Sequence, residues 1–199
     1  MAVAVLVFAS FVFRATSSLA NAVETAFRLT REMELAHSIS TRAAQTDELT
    51  GLYNRRHFES LLKQVLDDCR RGGHGASLLL LDLDFFKAVN DSAGHAAGDA
   101  LLHEIAGLMR SQLRPSDILA RLGGDEFTLI LENLADEAQG AEHKAQQLLE
   151  TMQSQFELTS ARVSLSSSIG IALYQPASQL SSDELLTLAD GAMYQAKHA

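Results

Sequence analysis

Proline and cysteine are both scarce in this chain. Its 199 residues include two prolines and one cysteine, Cys69, and 47% of them are hydrophobic. So few prolines, without any low-complexity tract, exclude wholesale disorder, and the length suits one domain plus an extension. A lone cysteine excludes an intrachain disulfide and fits a reducing compartment, so Cys69 is predicted to be a buried, inert thiol.

Basic residues are outnumbered, with 16 lysines and arginines against 25 acids and a formal net charge of −9. Nonspecific binding to nucleic acid requires a basic surface, so the sequence excludes that class of partner. The charge does not exclude nucleotides, because a metal ion can mediate between carboxylates and phosphates.

The longest apolar run of the chain is at the N-terminus. Residues 1–13 are apolar except for Ser10, but a bilayer span takes ~20 apolar residues. The segment also lacks the basic start of a signal peptide. We interpret it as the end of a membrane helix or a short hydrophobic anchor, and the alternative is an apolar segment that packs on a partner.

Residues 14–46 are predicted to form a helical linker. Small or apolar residues recur there at steps of four and three, the spacing of a coiled-coil seam. The seam consists of Ala22, Ala26, Leu29, Met33, Ala36, Ser40 and Ala43. It is rich in alanine, so a coiled-coil-like stalk and a single amphipathic helix both remain open.

Residues 47–199 are predicted to fold as one α/β (α+β) domain. A loop over 47–54 is followed by helices at 55–71, 97–113, 136–156 and 183–197 and by strands at 77–83, 118–122, 127–131 and 163–174. The two middle strands are joined by Gly123 and Gly124, which indicates a hairpin and therefore antiparallel pairing. The pattern predicts a mixed sheet with helices packed on it.

Three segments carry candidate chemistry, and each has a plainer alternative. At a strand end, alternation puts the acids Asp82 and Asp84 on the same side, where oxygen ligands suit Mg²⁺, although strand ends often carry solvated acids. The turn at 121–127 lets backbone approach a ligand and then presents two acids, although it can equally be a solvated turn. Over 87–99, Asn90 and Asp99 have the groups to read guanine, although Asn and Asp also favour caps and turns.

Taken together, these segments resemble the GGDEF family of diguanylate cyclases over about residues 46–199. The matching segments, in order, are DELTGLYNRR at 47–56, DLDFFKAVND at 82–91, GHAAGD at 94–99, RLGGDEF at 121–127, SIGIA at 168–172 and ADGAMYQAK at 189–197. The resemblance implies a fold like that of nucleotide cyclases and polymerase palms, with a central, mainly antiparallel sheet wrapped by helices. It also implies condensation of two GTP into cyclic di-GMP, with release of pyrophosphate, by a homodimer of half-sites.

The resemblance also implies roles for individual residues. Asp82, the Leu83 carbonyl, Asp125 and Glu126 would bind Mg²⁺ or Mn²⁺, two ions per active site. Asp125 would accept the proton of the attacking hydroxyl with help from Glu126, while Lys87 would neutralise phosphate charge. The implied substrate-binding residues are Asn90, His95, Asp99, Gly123, Gly124 and Lys197. Asp84 matches the motif, and a structural role is expected for it.

A second implied site is inhibitory. Arg114 and Asp117 match an RxxD site that binds the product, although a helix-end arginine and a turn aspartate are the plainer interpretation. A second arginine from the following helix often assists in the family, whereas here that helix offers His143 and Lys144 but no arginine, so weaker binding of the product is expected. The family's last helix usually continues with Gly-Arg-Asn beyond the equivalent of Lys197, so a trimmed C-terminus is expected.

Two further functional hypotheses remain beside the cyclase. One is a binding module that holds GTP or cyclic di-GMP without catalysis, and the other is a cyclase with altered base choice, against which Asp99 argues. The remaining histidines, His74 among them, show no metal-ligand spacing. The expected location is cytoplasmic, with a tether to the inner face of the membrane through residues 1–13.

Overall fold

The computed structural model describes residue 14 and residues 24–25, 27–34, 36, 41–132, 134, 136–153, 155–158 and 161–198. The chain divides into two compact units, residues 1–44 and 45–199. Within the described residues, the helices are too short or too polar to cross a membrane.

The first unit is helical wherever it is described. Helix covers residues 14, 24–25, 27–34, 36 and 41–44. Within it, Arg28 pairs with Glu32 one turn later at 3.9 Å. Leu29 and Met33 of the predicted seam are exposed. Residues 1–13 and the seam residues Ala22, Ala26 and Ser40 lie outside the described residues, so the anchor and the stalk stay predictions.

Five strands form the central sheet of the second unit. They are β1 (Tyr53–Asn54), β2 (Ala76–Leu83), β3 (Ile118–Gly123), β4 (Glu126–Glu132) and β7 (Ser167–Tyr174), in the order β1-β3-β4-β2-β7. The β1–β3 pair is parallel, and the other pairs are antiparallel. A separate antiparallel hairpin consists of β5 (Gln155–Leu158) and β6 (Ala161–Ser164). The predicted mixed, mainly antiparallel sheet is therefore confirmed.

Among the residues described in this unit, five α-helices accompany the strands. They are α1 (Arg55–Gly72), α2 (Phe86–Ala93), α3 (His95–Ser111), α4 (Glu137–Met152) and α5 (Ser182–Lys197). Local sequence fixes their ends. Asn54 caps α1 by accepting from the His57 amide at 3.0 Å, and Ser181 and Glu184 form a capping box on α5. These helices wrap the sheet, as the sequence predicted.

Strand β2 is the centre of the core because both of its faces are covered. Leu79 and Leu81 face the α2–α4 side, and Leu78 and Leu80 face the α1 and α5 side. Alternating leucines in an eight-residue strand thus build two hydrophobic layers at once, which explains why its sequence is a continuous apolar run.

Three details differ from the predicted elements. Residues 86–93 form a helix, where a polar loop was predicted, because Phe86 and Val89 are one turn apart and both buried. Helix α4 ends at Met152, four residues before the predicted end. The predicted strand region 163–174 is two strands, β6 and β7, in different sheets.

Candidate active site

The acids of the two strongest motifs meet at one end of the sheet. Asp82, near the end of β2, lies opposite Glu126, the first residue of β4. The Asp125 carbonyl accepts a hydrogen bond from the Leu83 amide at 3.3 Å. All three acids are half-buried. Residues more than forty positions apart are thereby joined into one carboxylate cluster.

The turn that carries Asp125 depends on two glycines. Gly123 has φ 143° and Gly124 has φ 55°, conformations that residues with a Cβ rarely adopt. A register shift between Arg121 and Gly123 marks a bulge at the same place. Bulges re-aim side chains at strand ends, and this one precedes the first acid of the turn.

Arg121 holds the turn and connects it to the start of the domain. Its Nε and Nη2 donate to the Gly124 carbonyl at 3.0 and 2.7 Å. Its Nη1 donates to both carboxylate oxygens of Asp47 at 3.0 and 3.1 Å. Burial would raise the pKa of Asp47, but hydrogen bonds from Thr50 and Arg121 outweigh it and hold the pKa below its usual range.

Arg55 makes a second link to the turn. Its Nε donates to the Leu122 carbonyl at 3.2 Å, and its Nη2 pairs with Glu126 at 3.3 Å. The sequence assigned no contact to Arg55 or Arg121. Both lie inside recognised motifs, but their long-range partners are 67 to 74 positions away, and spacing alone cannot pair them.

Helix α5 brings a lysine to the acids. Lys197 Nζ lies 2.5 Å from Asp82 Oδ1, and this hydrogen bond raises the pKa of Lys197. The helix packs tightly on β7. A Cβ at Gly170 would be 2.0 Å from the Ala189 carbonyl oxygen and 2.3 Å from the Met193 nitrogen. Gly170 therefore sets how close α5 comes to the sheet.

Asp125 is electrostatically distinct from an ordinary surface aspartate. Burial raises its pKa, and the negative charge of Asp82 raises it further, while Lys197 and Arg121 act in the opposite direction. A carboxyl with a raised pKa that is close to a second carboxylate is a recurrent feature of proton-transfer sites.

The candidate guanine-reading residues lie on the two helices after β2. Asn90 on α2 is half-buried, and it packs on the backbone of α3, since a Cβ at Gly98 would be 2.0 Å from its Oδ1. Lys87, His95 and Asp99 are exposed. The structure therefore brings Asn90 next to the segment that carries Asp99, across the α2–α3 turn.

Two residues beside this segment have well-defined local roles. Asp84 accepts from Ser168 Oγ at 3.0 Å, and its amide donates to the Ser166 carbonyl at 2.9 Å, so it fastens the end of β2 to β7. Phe85 is 79% exposed and has φ 61°. A bulky residue in that conformation is strained, and such strain concentrates at functional sites.

The predicted inhibitory pair lies elsewhere. Arg114 and Asp117 form a turn in which the Arg114 amide donates to Asp117 Oδ2 at 2.9 Å. The turn precedes β3, whose far end reaches Gly123, so about 20 Å of strand separates it from the acids. Lys144 donates to the Gln112 carbonyl at 2.8 Å, near the same turn.

The carboxylate cluster has the chemistry of a site for a hard divalent cation. Asp82, Asp125 and Glu126 offer oxygen donors, and the Leu83 carbonyl lies between them along the chain. Mg²⁺ favours such ligands, usually one or two carboxylates with substrate phosphates completing the shell. The residues present therefore fit the metal that the motifs imply.

The fold and the site together indicate a class of enzyme. A mostly antiparallel sheet, covered on both faces by helices and carrying acids at one end, suits metal-dependent nucleotide chemistry. Residues 44–199 match the family model "Diguanylate cyclase, GGDEF domain", and the chain belongs to this family.

The chain is similar to proteins named diguanylate cyclase and cyclic di-GMP phosphodiesterase. Diguanylate cyclase TpbB of Pseudomonas aeruginosa is 45% identical over 155 residues, which are 77% of this chain and 35% of that protein. Cyclic di-GMP phosphodiesterase NbdA of the same species is 37% identical over 169 residues, which are 85% of this chain and 21% of that protein. The chain thus spans about a third or less of either relative.

Solved structures share the fold. The coiled coil and GGDEF domain of DgcB from Caulobacter crescentus, in complex with c-di-GMP, matches with a TM-score of 0.79 and 27% identity. That match covers 92% of this chain and 93% of that one.

Proposed function

We propose that this chain is a diguanylate cyclase that condenses two GTP molecules into cyclic di-GMP and releases two pyrophosphates. The observation that carries the proposal is the carboxylate cluster of Asp82, Asp125 and Glu126 at one end of the sheet, beside Lys197. Family membership and relatives named diguanylate cyclase support it. The relative named phosphodiesterase is matched over 21% of its length, so most of that protein lies outside the match.

The reaction is a displacement at phosphorus. In each half, the 3′-hydroxyl of one GTP attacks the α-phosphate of the other, and the bond to pyrophosphate breaks. The hydroxyl proton goes to Asp125, whose raised pKa suits it to accept a proton. Glu126, held by Arg55 at 3.3 Å, assists from the neighbouring position.

Charge stabilisation accounts for most of the remaining chemistry. Asp82, the Leu83 carbonyl, Asp125 and Glu126 would hold two Mg²⁺ or Mn²⁺ ions, which when bound supply Lewis-acid stabilisation of phosphate charge. Lys87 is exposed and free to reach phosphate oxygens as negative charge develops on them. Gly123 and Gly124 leave room for the triphosphate, and Lys197 balances the charge of Asp82.

Base selection would come from Asn90 and Asp99. A carboxylate accepts from guanine's N1–H and N2–H₂ groups, and an amide both donates and accepts. His95 would line the same pocket. Because one domain binds one GTP, the active species would be a homodimer with two facing half-sites.

The experiment compares the parent chain with Asp125→Asn and with a matched control, Glu142→Gln, whose acid is exposed on α4. Each is incubated with GTP and Mg²⁺, and cyclic di-GMP and pyrophosphate are quantified. We expect product from the parent and the control, and a loss of about 10²–10⁴-fold in Asp125→Asn, the range for removing a general base. Equal rates for parent and Asp125→Asn would contradict the assignment.

A second candidate is a non-catalytic module that binds GTP or cyclic di-GMP. The DgcB structure in complex with c-di-GMP shows that a similar domain binds this nucleotide, which such a module would also do. This module would bind GTP with measurable affinity and form no product, so the same samples, examined by calorimetry, distinguish the two functions.

Product inhibition is proposed at Arg114 and Asp117. Arg114 is exposed and shares a cavity with Asp136, Gln139 and Gly140 at the start of α4. Its planar guanidinium suits bidentate contact with guanine or phosphate. We expect Arg114→Ala to raise the concentration of cyclic di-GMP that halves the rate, with the uninhibited rate unchanged. An inhibition curve identical to that of the parent chain would contradict an inhibitory role for Arg114.

The proposed location is the cytoplasm, where GTP is available, with residues 1–13 as a tether to the inner face of the membrane. Fractionation of cells that express the chain with and without these residues tests the tether. Equal recovery in the soluble fraction would refute it.

A further inference from the structure

A second cluster of metal-ligating side chains lies at the end of the sheet opposite the acids. It consists of Cys69 near the end of α1, His74 in the turn that follows, and Glu132 at the end of β4. Glu132 pairs with Ala76 at the start of β2, whereas the carboxylate cluster of the proposed active site lies around Asp82. Six residues of strand, about 20 Å, separate the two places.

The three side chains converge closely. One ligand atom of each, the Cys69 sulfur, a His74 ring nitrogen and a Glu132 carboxylate oxygen, lies within 4.8 Å of the other two. Among the described residues, this is the one group of three such ligands that meets so closely. Cys69 is buried, while His74 and Glu132 are half-buried, so the cluster is reachable from solvent on one side.

Two glycines produce the convergence. Gly73 ends α1 with φ 69°, and its amide donates to the Cys69 carbonyl at 2.9 Å. The chain then reverses, so the His74 ring lies against Gly72, where a Cβ would be 2.5 Å from Nδ1 and 2.6 Å from Cε1. Only glycine at 72 leaves room for the ring in this position.

The charges around the cluster are those that attract a cation. Burial, followed by the negative charges of Glu132, Asp68 and Glu137, raises the pKa of the Cys69 thiol to about 11. Burial also raises the pKa of Glu132, and the charge of His74 opposes this. A bound divalent cation would offset the repulsion, and it would displace the thiol proton as metals do on binding cysteine.

We propose that Cys69, His74 and Glu132 form a Zn²⁺ site, with solvent as the fourth ligand. Zn²⁺ binds this sulfur, nitrogen and oxygen set in tetrahedral geometry at 2.0–2.3 Å, so the ligand atoms must approach to roughly 3.5 Å of each other. That requires a contraction of about 1 Å, which side-chain rotation of the half-buried His74 and Glu132 supplies. The thiolate and imidazole favour Zn²⁺ over Mg²⁺.

Bound zinc would connect the end of α1 to the end of β4. The site is distinct from the proposed nucleotide chemistry and does not depend on it. Because the ligands come from three elements, it exists only in the folded domain, and metal that binds only the folded state raises the melting temperature.

The test uses the purified full chain, stripped with EDTA, dialysed and returned to excess Mg²⁺, so that the hard oxygen ligands are occupied. Co²⁺ is titrated as a spectroscopic probe, and Zn²⁺ displaces it. The chain has one cysteine, so a thiolate-to-cobalt charge-transfer band reports Cys69 alone. We expect this band at one Co²⁺ per chain, its loss on adding Zn²⁺, and a rise in melting temperature with Zn²⁺.

Variants assign the other ligands. His74→Gln and Glu132→Gln each replace a half-buried ligand with an uncharged side chain of similar size. We expect each substitution to weaken Zn²⁺ binding at least tenfold. The matched control is His103→Gln, an exposed histidine on α3, which should bind as the parent does. Far-ultraviolet circular dichroism verifies folding of each variant. Cobalt binding without the charge-transfer band, or parent-like Zn²⁺ affinity in both ligand variants, would overturn the proposal.

Discussion

Gly170→Ala is a direct probe of the packing that brings α5 to the acids. The added methyl would lie 2.0 Å from the Ala189 carbonyl oxygen and 2.3 Å from the Met193 nitrogen, where ordinary contact begins at 3.4 Å. Two of its three nearest neighbours are backbone atoms, so no flexible side chain can make room. Either α5 moves away from β7 or β7 bends away from α5.

The loss of unfolding free energy in Gly170→Ala can be worked out from the atoms that the methyl group would contact. Overpacking a core costs typically 1–3 kcal/mol, and backbone contacts place this case at about 3 kcal/mol. Replacing glycine in a strand returns about 0.5–1 kcal/mol, so the net loss of unfolding free energy is about 2–2.5 kcal/mol. For a chain of this size that corresponds to a melting temperature lower by about 4–10 °C.

The matched control is Gly191→Ala on the same helix. Gly191 is exposed, and among the described residues no atom lies within 4 Å of a Cβ there. We expect it to stabilise the domain by about 0.5–1 kcal/mol, the helix propensity difference. Urea denaturation followed by circular dichroism measures both variants. A Gly170→Ala midpoint equal to or above that of the parent would refute the packing argument.

Three other perturbations test single contacts of the site. A Cβ at Gly98 would lie 2.0 Å from Asn90 Oδ1, so Gly98→Ala should turn the Asn90 amide away. We expect binding of a non-hydrolysable GTP analogue to weaken about tenfold, or 1.4 kcal/mol. An unchanged dissociation constant in calorimetry would contradict this. Asp47→Asn removes the charge that faces Arg121 and should lower the unfolding free energy by about 1–2 kcal/mol. Urea denaturation measures this loss, and an unchanged unfolding free energy would mean that the Asp47–Arg121 pair does not stabilise the domain. The folded-state pKa of Asp125 lies above the ordinary 3.8, so its ionisation destabilises the metal-free domain as pH rises. Asp125→Asn should therefore raise the melting temperature at pH 7 in EDTA but give no such gain below pH 3.8, and a lower melting temperature at pH 7 would show that the charged form is stabilising.

Local patterns were sufficient where one signal dominated. The leucine run of β2 predicts a strand covered on both faces, and Gly123-Gly124 predicts the hairpin, which the structure confirms. The sequence predicted a loop in place of helix α2, because polar residues such as Lys87 and Asn90 are typical of loops. Only two apolar residues of this helix, Phe86 and Val89, face the core. In so short a helix, packing against the sheet decides the conformation, and local propensity carries little information.

Long-range pairs were beyond the reach of the sequence. Lys197 and Asp82 are 115 positions apart, and Asp47 and Arg121 are 74 apart. No periodicity or spacing links them, because the packing of α5 on the sheet and the strand order bring them together. The resemblance supplied the residues expected at the site, and the fold shows which of them are in contact.

His74 is the clearest case of contacts that the sequence alone could not predict. In sequence it has no partner at metal-ligand spacing, and Cys69, five positions earlier, reads as an inert buried thiol. The reversal at Gly73 brings the His74 ring back toward the thiol, and the pairing of β4 with β2 adds Glu132 from 58 positions further on. Backbone geometry at a helix end, together with strand register, thus creates a ligand set that composition could not reveal. Such clusters should be sought where a glycine-terminated helix meets the end of a neighbouring strand.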